Sequence, residues 1–319
     1  MDLQTKIKRK PFLHQMALGH KVLSIGSCFA DRMGGYLQDY KFDALVNPFG
    51  VIFNPVSLIK LIDQKSDPEP DKFIERDGMV CHYDYHFDLR ADSVSSLETL
   101  LRAKHQEVNA FIQKADWLIV TLGTAHVYEL VVGAGVVANC HKVPQGEFNK
   151  RLLSLEEMKT AFVSFQEGVK QLNPSLKIIL TVSPVRHVKD GMEENQLSKS
   201  LLRVLCSELE GDDVYYFPSY EIMMDELRDY RFYKEDMIHP SAQAEQYIWE
   251  YFQEVAFEEP ARVFMKEWKQ VLSALNHKAF NPNSAAHKRF VQSILSRIES
   301  LPECIDYSKE KQVLESQLG

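Results

Sequence analysis

A chain of 319 residues is long enough for one large or two ordinary domains, at about 150 residues each. Hydrophobic residues make up 45% and charged residues 26%, the balance of a soluble globular protein with a sizeable core. Its 37 basic against 45 acidic residues leave a net charge of −8, which argues against nucleic acid or an anionic membrane as the principal partner.

The chain opens on a basic run, "KIKRK" at 6–10, expected as a solvated arm. The first strand expected is 21–25 (KVLSI). It turns through Gly26, Ser27 and Cys28 into a helical pattern. Further strands are expected at 43–46, 117–122, 177–183 and 214–217; several are continuous apolar runs, as parallel strands buried on both faces would be. Between them lie helix starts. Asn54-Pro55 gives an N-cap followed by proline, Ser93 precedes an amphipathic run to Lys114, and Ser154 with Glu157 has capping-box spacing. Met192 to Leu209 and Ser241 to Phe257 complete the series.

Strands alternating with helices of this length imply a three-layer α/β fold with a mainly parallel five-stranded sheet. Two β insertions interrupt it. Residues 79–89 (MVCHYDYHFDL) alternate like an exposed strand, and 126–143 reads as a hairpin around Gly133-Ala134-Gly135. Residues 1–258 form the α/β domain on this reading. Residues 259–319 are polar and helical, a C-terminal extension able to cover the sheet, lid the site or form a homo-oligomer interface.

The five cysteines are odd in number, widely spaced and free of any C-x-x-C pair. That favours a reducing compartment over a disulfide framework or a zinc ribbon. No apolar run approaches a membrane span, and the N-terminus lacks the apolar stretch of a signal peptide. A cytoplasmic location with no membrane partner is the expectation.

In open α/β sheets, ligands collect at the carboxyl ends of the strands. Here those ends carry Gly26-Ser27-Cys28, "NPFG" at 47–50, "LGTAH" at 122–126 and "SPVRH" at 183–187. Late in the chain, "DMIHPS" sets Asp236 and His239 just before a helix. A serine hydroxyl needs a base to become a nucleophile, and an imidazole held in one tautomer by a carboxylate supplies it near neutral pH. The spacing Asp-x-x-His lets the carboxylate fold back onto the imidazole. The backbone N–H groups of Ser27 and Gly50 are candidate oxyanion donors.

These motifs resemble the GSCFA family of the SGNH (GDSL-like) hydrolase superfamily. The resemblance rests on "IGSCFA" at 25–30, "NPFG" at 47–50, "TLGTAHVY" at 121–128, "VVANCHKVP" at 136–144 and "TVSPVRHVKDG" at 181–191. It implies a flavodoxin-like sheet of order 2-1-3-4-5 and no cofactor. It also implies Ser27 as nucleophile, Gly50 as second oxyanion donor, and Asp236 with His239 as orienting acid and base. The activity implied is cleavage of an ester, such as an O-acyl or O-acetyl group on a carbohydrate or small metabolite. Acyl transfer by the same triad and a decayed, ligand-binding site are the alternatives. The superfamily's third block supplies an oxyanion-hole Asn, but here the run is Gly123-Thr124-Ala125-His126. Thr124, His126 and Asn47 are candidate replacements.

Simpler readings stand beside each of these. Ser27 alone would serve as a helix N-cap, Asp236 as the cap of a turn, and Gly50 as a turn glycine. Cys28, about 100° round the helix from Ser27, reads as a structural cysteine. His82, Asp84 and His86 would share one face of a strand, as metal ligands or as an edge strand's polar face, and no metal is the reading adopted. His86 doubles as a substrate contact. Arg186 and His187 either line a pocket or make a surface salt bridge.

Overall fold

The computed structural model describes residues 5–63, 67–133, 135–277, 280–281 and 284–318. Five parallel strands form the central sheet: β1 (Lys21–Gly26), β2 (Asp43–Val46), β5 (Trp117–Leu122), β9 (Lys177–Val182) and β10 (Val214–Phe217). Their spatial order is β10-β9-β5-β1-β2. Counting these five strands alone, that is 2-1-3-4-5 read from the other edge, the flavodoxin-like order expected. β1 and β5 run in register from Val22↔Trp117 to Gly26↔Thr121, and β5 and β9 from Trp117↔Lys177 to Leu122↔Val182.

The period of two along these strands divides the core. Val22, Trp117, Ile119, Ile179 and Phe217 face one side, with the inner stripes of α1 (Cys28–Asp39), α7 (Ala242–Ala256) and α8 (Glu259–Leu275). Leu23, Leu118, Val120, Ile178 and Leu180 face the other, against α2 (Pro55–Asp63), α3 (Val94–Ile112), α4 (Leu155–Leu172) and α5 (Met192–Leu209), and a single turn, α6 (Ser219–Glu221), follows β10. Both faces are therefore covered, and the strands can be apolar without alternation. The expected capping box is present at the start of α4, where Ser154 and Glu157 bond reciprocally.

The C-terminal segment forms α8, α9 (Ala285–Glu299) and α10 (Ser308–Glu315). It packs on the α1 and α7 side; residues 278–279, 282–283 and 319 of the expected extension lie outside the described residues. Trp268 is fully buried and donates its indole N–H to Asp39 O at the end of α1 (2.7 Å). Lys41 pairs with Glu310 at 2.7 Å. Among the described residues no helix is long and apolar enough to cross a membrane.

The insertions differ in detail from expectation. Only Met79–His82 of the 79–89 segment is a strand (β4), paired antiparallel with β3 (Phe73–Arg76); residues 83–89 form successive turns. Nor is the segment exposed: Cys81, His82 and Tyr85 are wholly buried. β6 (His126–Leu130) pairs with β7 (Val136–Val137) as the hairpin requires, although Ala134 at its tip lies outside the described residues. A third strand, β8 (Phe148–Leu152), flanks β6 on its other side. Its sequence FNKRL has one apolar residue at each end, so no periodic signal marked it.

Candidate active site

β1 ends at a glycine because nothing else fits. Gly26 has φ 131°, and a Cβ there would lie 2.1 Å from Thr121 O. The turn delivers Ser27 as N-cap of α1, where its Oγ accepts from Phe29 N at 3.3 Å. Ser27 is 1% exposed, and its own amide donates to Thr121 O at 3.0 Å, extending the β1–β5 ladder by one bond. The expectation that this amide is a free oxyanion donor is not met. Gly50 is engaged too, its N–H donating to Asn47 O at 2.8 Å. It is nevertheless required as glycine: at φ 76° an added Cβ would sit 2.3 Å from the Cβ of His86.

The proposed stand-ins for the missing Asn have other work. Asn47 accepts from Gly26 N through Oδ1 (2.8 Å) and donates through Nδ2 to the Asp31 carboxylate (2.5 Å), clasping the end of β2 to the β1 turn. Burial raises the Asp31 pKa, while the Asn47 amide lowers it. Thr124 Oγ1 pairs with Ser198 Oγ at 3.0 Å and accepts from His126 N at 3.1 Å. His126 Nε2 lies 3.4 Å from Glu194. Gly123 and Thr124 both donate their amides to Phe53 O, at 2.8 and 3.1 Å. None of these polar groups is an uncommitted oxyanion donor.

The Asp236–His239 pair, by contrast, is formed. Asp236 Oδ2 accepts from His239 Nδ1 at 2.7 Å, while Oδ1 takes the amides of Ile238 (2.9 Å) and His239 (3.0 Å). Those two backbone bonds, with the imidazole, hold the Asp236 carboxyl down to about 2. With Nδ1 donating, Nε2 carries the lone pair a base needs. The loop is fastened by Lys234 N to His239 O (2.8 Å) and by Arg186 N to Ile238 O (3.3 Å). Both side chains are substantially exposed, at 40% for His239 and 44% for Asp236. Among the described residues no hydrogen bond joins Ser27 to His239.

Burial raises the pKa of the Cys28 thiol, the Asp31 charge adds to the rise, and the charges of Lys199 and Lys234 oppose it. Lys199 escaped the sequence reading. It is 1% exposed and donates to Gly123 O (2.7 Å) and Ser183 O (2.8 Å), joining the residues that follow β5 and β9 at their carboxyl ends. Burial pushes its ammonium down to about 7. A signal was available: Asn195, Ser198 and Lys199 occupy the same helical stripe as Leu202, Leu205 and Leu209, where polar residues have no reason to be unless partnered.

His187 edges against Phe53 at 5.4 Å, and burial holds its pKa down to about 4. Arg186 makes no salt bridge among the described residues; its guanidinium lies 4.1 Å from the Tyr233 ring centroid and 5.4 Å from that of Tyr230. His82, Asp84 and His86 do not form a ligand set. Asp84 is claimed by Lys60 (2.8 Å) and Lys72 (3.1 Å), His82 hydrogen-bonds to Glu69 O, and His86 sits over Gly50. Among the described residues no group of three or more His, Cys, Asp or Glu side chains is arranged to hold a metal.

Comparison with known proteins places these residues in context. The model of the family described as "GSCFA family" matches residues 21–252, and that of "GSCFA domain protein, C-terminal domain" matches 268–319. No curated protein matches. Among solved structures, a carbohydrate esterase family 3 protein from Talaromyces cellulolyticus is similar at 9% identity and TM-score 0.33, over 79% of this chain and 99% of that one. A family two carbohydrate esterase from Clostridium thermocellum, in complex with cellohexaose, is similar at 13% identity and TM-score 0.35, over 82% and 66%.

Proposed function

Because the chain belongs to the GSCFA family, we propose that it is a serine-dependent ester hydrolase with Ser27 as nucleophile, His239 as base and Asp236 as its orienting acid. The observation that carries the reading is the 2.7 Å Asp236–His239 bond, which fixes one imidazole tautomer and leaves Nε2 ready to take a proton. A serine at the carboxyl end of β1, between β2 and β5, is the second part. Attack requires Ser27 Oγ to turn from Phe29 N toward the imidazole. That rotation frees the Phe29 amide in the first turn of α1, where with Cys28 N–H it can face the developing oxyanion. His239 then returns the proton to the leaving alcohol, and water, activated by the same imidazole, resolves the acyl-enzyme. A sugar hydroxyl in place of water would make the reaction an acyl transfer. The substrate is an O-acylated carbohydrate or small metabolite, and no cofactor takes part.

The test is covalent labelling with a fluorophosphonate, followed by mapping of the adduct. Labelling on Ser27 that vanishes in His239→Ala supports the reading; an intact, folded protein that never labels refutes it. A second reading has its own observation: Ser27 Oγ is buried and the Ser27 and Gly50 amides are spent on backbone carbonyls. A protein that binds its ligand without turnover would look like this. Glycan binding by calorimetry, with no labelling, would favour it.

A further inference from the structure

At the carboxyl ends of β9 and β10, beside the His239 loop, lies a cavity of about 450 Å³ walled by Arg186, Gln196, Tyr220, Met224, Tyr230 and Tyr233. Its charges are unevenly satisfied. Two carboxylates border it, and each has its own arginine: Asp225 lies 3.7 Å from Arg228 and Asp229 lies 3.0 Å from Arg231. Arg186 has no carboxylate within ion-pair distance among the described residues. Its guanidinium carbon lies instead 4.1 Å from the Tyr233 ring centroid, and its buried Nε has no hydrogen-bond partner among the described residues. A guanidinium beside aromatic rings keeps a planar fork of N–H donors, the geometry that suits a planar or tetrahedral oxyanion. The cavity is also coupled to the chemistry. The Arg186 amide holds Ile238 O of the His239 loop, and Tyr233 bridges to Pro240 immediately after His239.

We infer that this cavity is an anion subsite in which Arg186 receives a carboxylate or phosphate group carried by the ligand. The inference rests on the hydrolase reading in one respect, namely that the anion belongs to the ester undergoing cleavage. An acidic protein, at net charge −8, repels such ligands at long range, so a local unpaired cation is what would admit them.

The experiment titrates the full-length protein with inorganic phosphate and separately with a hexuronate, following binding by calorimetry. The same titrations are run on Arg186→Met and Arg186→Lys, each checked for folding by its melting temperature. Binding that saturates, weakens at least tenfold in Arg186→Met and is partly restored in Arg186→Lys supports the inference; which ligand binds tells carboxylate from phosphate. Binding that is absent, or equal in Arg186→Met, overturns it. Should Arg186→Met fail to fold, the lysine variant decides: undiminished affinity for both anions there overturns the role of the guanidinium fork. Fluorophosphonate labelling of the wild-type protein is read in parallel. Lost labelling with Arg186-dependent binding sinks the hydrolase reading and keeps the anion site; labelling without anion binding does the reverse.

Discussion

Replacing Lys199 by methionine should change the pH dependence of stability in a defined way. Burial pushes the folded-state pKa down to about 7 from the ordinary 10.5. Between those values the unfolded chain holds a proton that the folded protein gives up, so stability rises with pH across this window, and the cost is complete below pH 7. Worked through, it is about 4 kcal/mol at pH 7 and about 2 kcal/mol at pH 9. Lys199→Met removes that titration but takes the donor from two buried carbonyls, Gly123 and Ser183, at about 1–3 kcal/mol each. At pH 7 the two effects nearly offset. By pH 9 the variant should be the less stable protein, the gap between the two having moved by about 2 kcal/mol. Urea unfolding followed by tryptophan fluorescence at pH 7, 8 and 9 reads this directly, since Trp117, Trp249 and Trp268 are all buried. Other titrating groups are common to both proteins and cancel in the difference. A difference that stays constant from pH 7 to 9 would show that Lys199 keeps its charge throughout, and the reasoning would fail.

Burial holds His82, His105 and His187 down to about 4, below the ordinary 6.5. Stability should therefore fall as pH drops from 6.5 toward 4, by up to about 1.4 kcal/mol per pH unit for each; a urea midpoint that is flat between pH 6.5 and 4.5 counts against this. Gly26→Ala forces a Cβ against Thr121 O and should lower the melting temperature by at least about 5 °C, checked by calorimetry, with an unchanged value as the contrary result. Asp236→Asn keeps the shape of the His239 loop but favours the wrong imidazole tautomer. Ester turnover should fall on the order of 10⁴-fold with little change in melting temperature, and near-normal turnover would remove Asp236 from its role.

The sheet was legible because parallel strands buried on both faces write themselves as apolar runs, and KVLSI and WLIVTL admit no other placement. Helices announced themselves through caps: Ser93, Ser154 and Ser241 each accept the amide that their position requires. β8 was not legible, since a strand on a small outlying sheet carries little apolar periodicity. The Asp236–His239 pair was local, three residues apart, so its spacing was enough to find it. The oxyanion donors were not, because whether an amide is free depends on which carbonyl tertiary structure brings to it. Thr121 O is 94 positions from Ser27, and no sequence pattern records that bond. Arg186 belongs with these. That it has no counter-ion among the described residues goes with Asp225 and Asp229 having paired with other arginines.

Helix α1 joins two places usually thought of separately. Ser27 caps its first turn, and Trp268 of α8 holds the carbonyl of its last residue, Asp39, some 18 Å away. A helix gripped at its tail has little freedom to tilt or slide at its head. The C-terminal helices thus act as a mooring for the serine turn from the opposite end of α1. Shortening the chain before Trp268 would cast off that line, and would reach Ser27 without touching a single residue around it.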